Sequence, residues 1–224
     1  METTIIPIDL GFVNAYLVRT GEGFVLVDTG LSSQWTKLVA ALGRSGCPRG
    51  RLSLVILTHA DMDHAGNARR LQTEWKAPIA VHGEDARALE TGASPKRSGR
   101  GPVAKALMGL SGLFRRAGGA APTFKPDILL EDGARLEAWG LRARILHLPG
   151  HTRGSIAVLT DGGDLIAGDV FANRRRPDLS PFVENIDSYH ESLGRAKALA
   201  GSITTVYPGH GASFSGAAIA GIEP

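Results

Sequence analysis

Between Leu57 and Asn67 the chain reads LTHADMDHAGN, with His59, Asp61, Asp63 and His64 crowded together directly after the apolar stretch LSLVIL. Imidazole nitrogen and carboxylate oxygen are donors that zinc and iron accept, and four such groups this close would otherwise repel one another or stay poorly paired. If the run leaves its strand in extended backbone, i, i+2 and i+4 share a face. His59, Asp61 and Asp63 then converge, while His64 swings round as a turn begins. Three further candidates stand far along the chain: His151 in LPGHTRGS, Asp169 in IAGDV and His210 in YPGHG, each after an apolar run and beside glycine. Glycine permits sharp turns and close backbone approach, and strand ends are where sites on layered α/β sheets collect. The chemistry these residue types suggest is metal-assisted hydrolysis, since zinc lowers the pKa of a water it holds from about 15.7 to about 7.

The elements that must position these groups follow from periodicity. IIPIDL, AYLVRT and GFVLVDTG read as three short strands, with Gly-Glu-Gly as the turn between the last two. Trp35, Leu38, Val39 and Leu42 share one helical face, with Ser32 or Ser33 as its cap. LSLVILT is nearly all apolar, as in a strand buried on both faces by helices above and below a sheet. Ala68 to Trp75 reads as helix and APIAVHG as a strand, which makes a β-α-β alternation. Strands resume with DILL, ARLEAWG, LRARILHL, SIAVLT and GDLIAGDV, before a helix near Tyr189 to Leu199 and the strand TTVYP. GEGFVLVDTG and DGGDLIAGDV echo one another faintly, each a glycine turn, an apolar strand and an aspartate, consistent with a duplicated half.

At 224 residues and 43% hydrophobic content the chain can bury a core as one domain. Its one cysteine, Cys47, excludes a disulfide framework and a Cys-rich zinc knuckle, and fits a reducing compartment. With no secretory pattern at the N-terminus and no long apolar window, a cytoplasmic protein is expected. The net charge of +3 is uneven: Lys96, Arg97, Arg100, Lys105, Arg115, Arg116 and Lys125 fall in a stretch without an acid. We read 91–126 as a basic, glycine-rich insertion in which Val103, Leu107, Leu110 and Phe114 form a helical stripe. A lid over the cleft is the first expectation for that stripe. Contact of 102–116 with a membrane surface, a phosphate or nucleic-acid track, or an oligomer contact are the alternatives.

The series VDTG, THADMDHAG, PGHTRGS, AGDV and YPGHG, from Asp28 to Gly211, resembles the signature motifs of the metallo-β-lactamase superfamily in order and separation. The resemblance implies a four-layer αββα sandwich, two mixed sheets with helices outside, and two divalent metal ions at one edge. Carried over, His59, Asp61 and His151 would hold the first metal, Asp63, His64 and His210 the second, and Asp169 would bridge them. Zinc is the first choice. The commonest pattern has histidine where this chain has Asp61, and a harder oxygen there shifts preference toward iron or manganese or leaves the first site partly filled. Asp63, beside the nucleophile, would orient it and pass a proton to the leaving group. Asp28 is assigned to a turn or to a partner behind a histidine, His82 to such a partner or to a structural role, and Thr152 and Ser155 to the turn at His151.

The expected substrate is a small ester, thioester or lactone. The bridging Asp169 argues against β-lactam hydrolysis, although neither relative of choice fits throughout. The chain ends 14 residues past His210, short of the glutathione-binding tail of thioesterases, and Phe171 and Ala172 stand where lactonases carry tyrosine. A phosphodiesterase or a mono-iron sulfur dioxygenase on the same frame are the alternatives; nucleic acid is not an expected partner.

Overall fold

The computed structural model describes residues 3–93, 97–100 and 123–224. Two six-stranded sheets pack face to face. The first runs β1 (Thr4–Asp9), β2 (Asn14–Arg19), β3 (Phe24–Val27), β4 (Leu52–Ile56), β5 (Ile79–His82) and β7 (Ile128–Leu130), antiparallel up to β3 and parallel from there on. The second runs β14 (Phe214–Ser215), β13 (Thr205–Gly211), β10 (Asp164–Asn173), β9 (Ile156–Thr160) and β8 (Ala143–His147), with β11 (Pro177–Leu179) on the far stretch of β10. A two-residue ribbon joins β6 (Ser98–Gly99) to β12 (Phe182–Val183).

Strand alternation sorts the core into three layers. Tyr16, Val18, Val25, Val27, Leu54 and Ile56 meet Ile145, Ile156, Val158 and Ile166 between the sheets. Their neighbours Leu17, Leu26, Val55 and Ile79 face outward and are covered by Leu38 and Leu42 of α1 (Trp35–Arg44) and by Leu71 and Trp75. On the other side, Tyr189, Leu193 and Ala196 of α5 (Ile186–Leu199) cover Leu159, Leu165 and Val170. The central strands are thus buried on both faces, which is why LSLVIL and SIAVLT show no polar alternation. The arrangement is the expected αββα sandwich. The faint echo also has a structural counterpart: β3 and β10 each have an antiparallel partner before them and a parallel one after.

Several elements depart from expectation. ARLEAWG is a turn and a 3-10 helix, Glu137–Trp139, where an isolated bridge of Arg135 to Arg144 replaces a strand. Ala68 to Trp75 splits into a single turn, α3 (Ala68–Arg70), and a π-turn, Leu71–Trp75, which ends at Lys76 with φ of 57°. The wider turn keeps Leu71 and Trp75 both buried against the sheet. Neither Ser32 nor Ser33 caps α1; they start a 3-10 turn, closed by the Gln34 side chain on the Leu31 amide. Val103, Leu107, Leu110 and Phe114, and with them the lid and membrane-surface expectations, lie outside the described residues. Among the described residues no helix is long and apolar enough to cross a membrane.

Candidate metal centre

The seven residues picked from sequence come from both sheets and meet at one edge of the sandwich. His59 lies in a bend after β4 and Asp61 in extended backbone, but Asp63 does not continue along a strand face. The chain turns at Asp61, which has φ −67° and ψ 148°, into α2 (Met62–Ala65), and it is this short helical turn that delivers Asp63 and His64. His151 lies in the loop after β8. Asp169 and His210 are inside strands rather than beyond them: β10 runs on to Asn173, with register shifts on either side of Gly168, and β13 runs through Gly211. The irregular stretch of β10 turns the Asp169 carboxylate toward the cleft.

Three overlapping clusters result: His59, Asp61 and His151; His59, His64 and Asp169; and Asp63, His64 and His210, the ligand atoms in each lying within 4.8 Å of one another. Nε2 of His64 is 3.3 Å and Nε2 of His210 is 3.4 Å from Asp169 Oδ1, while Nε2 of His151 is 3.6 Å from Asp169 Oδ2 and 3.2 Å from Asp61 Oδ2. Asp63 Oδ2 stands 3.5 Å from His210 Nε2.

Every ring is fixed from behind. His151 Nδ1–H donates to the Phe182 carbonyl at 2.8 Å and His210 Nδ1–H to the Phe12 carbonyl at 2.7 Å. His64 Nδ1–H donates to Asp28 Oδ2 at 2.8 Å. The Thr58 hydroxyl gives its proton to the same Asp28 oxygen at 2.8 Å, so its lone pair takes Nδ1–H of His59 at 3.0 Å. With all four Nδ1 atoms donating outward, the imidazoles turn four Nε2 atoms toward the carboxylates, each offering a lone pair when its ring is neutral. His59 Nε2, His64 Nε2 and Asp169 Oδ1 are buried and have no hydrogen-bond partner. Buried acceptors facing acceptors lack a positive charge between them.

The ionisations agree. Burial lowers His59, with His64 adding to the shift. Burial would also lower His64, but Asp28, Asp169 and Asp63 hold it well above the ordinary histidine range. His210 is raised, against burial, by Asp169. Burial would raise Asp169, yet His210, His64 and His151 hold it well below the carboxylate range. Asp61 is lowered likewise against burial, chiefly by Arg97 and then by His59. The cluster draws positive charge, as protons or as a cation.

Residues outside the sequence-derived set complete the frame. Asp28 adopts φ of 62°, rare outside glycine, and through its two oxygens ties Thr58 to His64; this is the backing role expected of it. Asp85, in α4 (Gly83–Thr91), accepts from Ala60 N at 2.8 Å, Thr152 Oγ1 at 3.0 Å and Gly154 N at 2.9 Å. It thereby braces the His59–Asp61 and His151 loops together. His82 instead caps α4 and stacks on His147 at 3.9 Å, and is not a hydrogen-bond partner of the four rings. Thr152 and Ser155 close the His151 turn as expected, Oγ to Oγ at 2.8 Å. The Tyr189 hydroxyl, its pKa raised by burial, lies 2.9 Å from the Asp169 carbonyl and 2.8 Å from that of Val170, and takes the Ser180 amide. A Cβ at Gly209 would lie 2.3 Å from Asp169 Oδ1, so only glycine lets the strand pass. The Phe12 carbonyl, the Asp85 carboxylate and the Tyr189 hydroxyl carried no sequence signal beyond position next to a motif.

A four-layer αββα sandwich with a histidine–aspartate cleft at its edge defines the class of protein. The sequence model of the metallo-beta-lactamase superfamily matches residues 8–210, and the chain belongs to that superfamily. It is 28% identical over 213 residues to the acyl-coenzyme A thioesterase MBLAC2 of Bos taurus, covering 90% of this chain and 74% of that one. It is 28% identical over 204 residues to the probable metallo-hydrolase MJ0888 of Methanocaldococcus jannaschii, covering 88% and 87%. Among solved structures, TTHA1623 in a di-iron-bound form superposes with a TM-score of 0.66 at 28% identity, covering 93% of this chain and 92% of that one. The chain is a metal-dependent hydrolase of this superfamily.

Proposed function

We propose that His59, Asp61, Asp63, His64, His151, Asp169 and His210 form the metal centre, and that the enzyme hydrolyses a small acyl ester, with an acyl thioester as the first choice. The supporting observation is the set of orphaned buried acceptors on His59, His64 and Asp169, which a divalent cation would satisfy. Four imidazoles and three carboxylates accept zinc, iron or manganese. When bound, such a cation supplies Lewis-acid polarisation of the scissile carbonyl and acidifies water.

The protein's own residues do the rest. Asp63 is the ligand-set carboxylate that is partly open to solvent while in reach of His210, so it can hold the attacking water and later return its proton to the leaving group. Phe12 is 56% exposed, lies edge-on against the His210 ring at 4.8 Å, and carries the Arg174 guanidinium 4.6 Å over its face. Met62, 47% exposed, stands between Asp61 and Asp63. An apolar rim beside a cation suits an acyl chain on an anionic carrier, and the relative named acyl-coenzyme A thioesterase points the same way. Hydrolysis of acyl thioester, lactone and phosphodiester panels by the zinc- and iron-loaded enzyme tests the reading. Thioester cleavage lost in Asp63→Asn with metal retained is expected; a phosphodiester preference, or full activity of Asp63→Asn, would overturn it.

A further inference from the structure

One cation beside the cleft belongs to the chain itself. Arg97, 13% exposed in its side chain, places Nη1 on Asp61 Oδ2 and Nη2 on Asp61 Oδ1, a two-pronged contact that occupies both carboxylate oxygens. This is the geometry in which guanidinium and carboxylate match best. Backbone pairing holds the arginine there. It immediately precedes β6, whose Ser98 and Gly99 pair with Val183 and Phe182 of β12, and the Arg100 amide donates to the Pro181 carbonyl at 2.7 Å. The Phe182 carbonyl is also the acceptor that fixes His151. The strand that orients His151 therefore also docks the segment bearing Arg97.

The two sides of the cleft are unequal in consequence. Asp61 Oδ2 is the oxygen that His59 and His151 face, at 3.3 and 3.2 Å, and the guanidinium already holds it. A divalent cation among those three groups would share its carboxylate oxygen with a fixed positive charge. The orphaned acceptors, in contrast, form one cluster around Asp169, whose carboxylate no arginine holds: His64 Nε2, Asp169 Oδ1 and His59 Nε2, the last shared with the Asp61 side. No Lys or Arg forms an ion pair with Asp63 or Asp169 among the described residues.

We infer that the chain holds one divalent cation tightly, on the Asp169–His64 side, and that Arg97 takes the place of a second on the Asp61–His151 side. The inference rests on the metal-centre reading above and deepens it: the carboxylate at position 61 is matched to an arginine delivered by the basic insertion.

The test is zinc stoichiometry, not turnover. Purified protein is stripped with chelator, loaded with excess zinc, dialysed and assayed for zinc and protein, and the zinc affinities are measured by titration calorimetry. Wild type is expected to retain one equivalent. Arg97→Ala and Arg97→Met, the latter preserving side-chain bulk, are expected to retain two, with the second equivalent bound at least ~30-fold more tightly than in wild type. Adding His151→Ala to Arg97→Met should return the count to one. Two equivalents in wild type, or one in both Arg97 variants with unchanged circular dichroism, would overturn the inference and leave the metal centre standing. No zinc in wild type would overturn both.

Discussion

Asp85 offers the sharpest check on how the cleft is held. Its Oδ2 takes the Ala60 amide and the Thr152 hydroxyl, its Oδ1 the Gly154 amide, and the side chain is buried. Replacing it with alanine leaves two backbone donors without partners, while Thr152 keeps its contact with Ser155. An unsatisfied buried donor costs about 1–3 kcal/mol, so Asp85→Ala should lose about 2–6 kcal/mol of stability. Asp85→Asn keeps an acceptor for Ala60 and Thr152 but turns an amide NH2 toward the Gly154 amide, and should lose about 1–3 kcal/mol. Both would loosen the loops of His59, Asp61 and His151, lowering kcat/KM on the order of 10-fold or more while Asp63 and His210 stay in place. Urea unfolding at matched metal loading measures the first effect and steady-state hydrolysis the second. If Asp85→Ala loses less than about 1 kcal/mol and keeps full activity, the bracing role is refuted.

Three further outcomes follow from the geometry. Gly209→Ala must push its new methyl against Asp169 Oδ1, and should cost about 1–3 kcal/mol together with most of the zinc affinity, read by thermal melting and titration. Tyr189→Phe frees the Ser180 amide and the Asp169 and Val170 carbonyls; a loss of about 1–3 kcal/mol in urea is expected, with hydrolysis falling less than in Asp63→Asn. Cys47 is fully buried and burial pushes its thiol up to about 11, so a disulfide exchange reagent at pH 8 should leave it unmodified in the folded protein and label it within minutes in denaturant.

How much of this could be read from the chain depends on where the information lies. THADMDHAG concentrates its chemistry locally, so the cluster and its partners at 151, 169 and 210 were legible, as was the sandwich, because doubly covered strands leave continuous apolar runs. The path of the backbone through the cluster was not. Two aspartates spaced by two look alike in a strand and at a helix start, and only tertiary packing selects the turn at Asp61. ARLEAWG alternates like a strand, but its pairing with the edge of β8 is cut to one bridge, Arg135 to Arg144, because the chain turns into the 3-10 helix at Glu137. Arg97 was visible as one cation of a basic stretch; its bond to Asp61 spans 36 positions and depends on β12, which no local pattern announces. Asp85 was missed for the same reason, since its three partners lie 25 to 69 residues away.

His59, Asp61, Asp63 and His64 ride on the first sheet, whereas His151, Asp169 and His210 ride on the second. An ion seated among them would act as a rivet through the two halves of the sandwich, joined at this rim also by Asn14 and Tyr16, which both hydrogen-bond to the Pro208 carbonyl. Chelation should therefore do more than silence the enzyme. It should let the halves open along that rim, visible as amide exchange that quickens at Thr58 and Gly209 together while the far end of the β8–β9 ladder, at Ala143 and Thr160, stays protected.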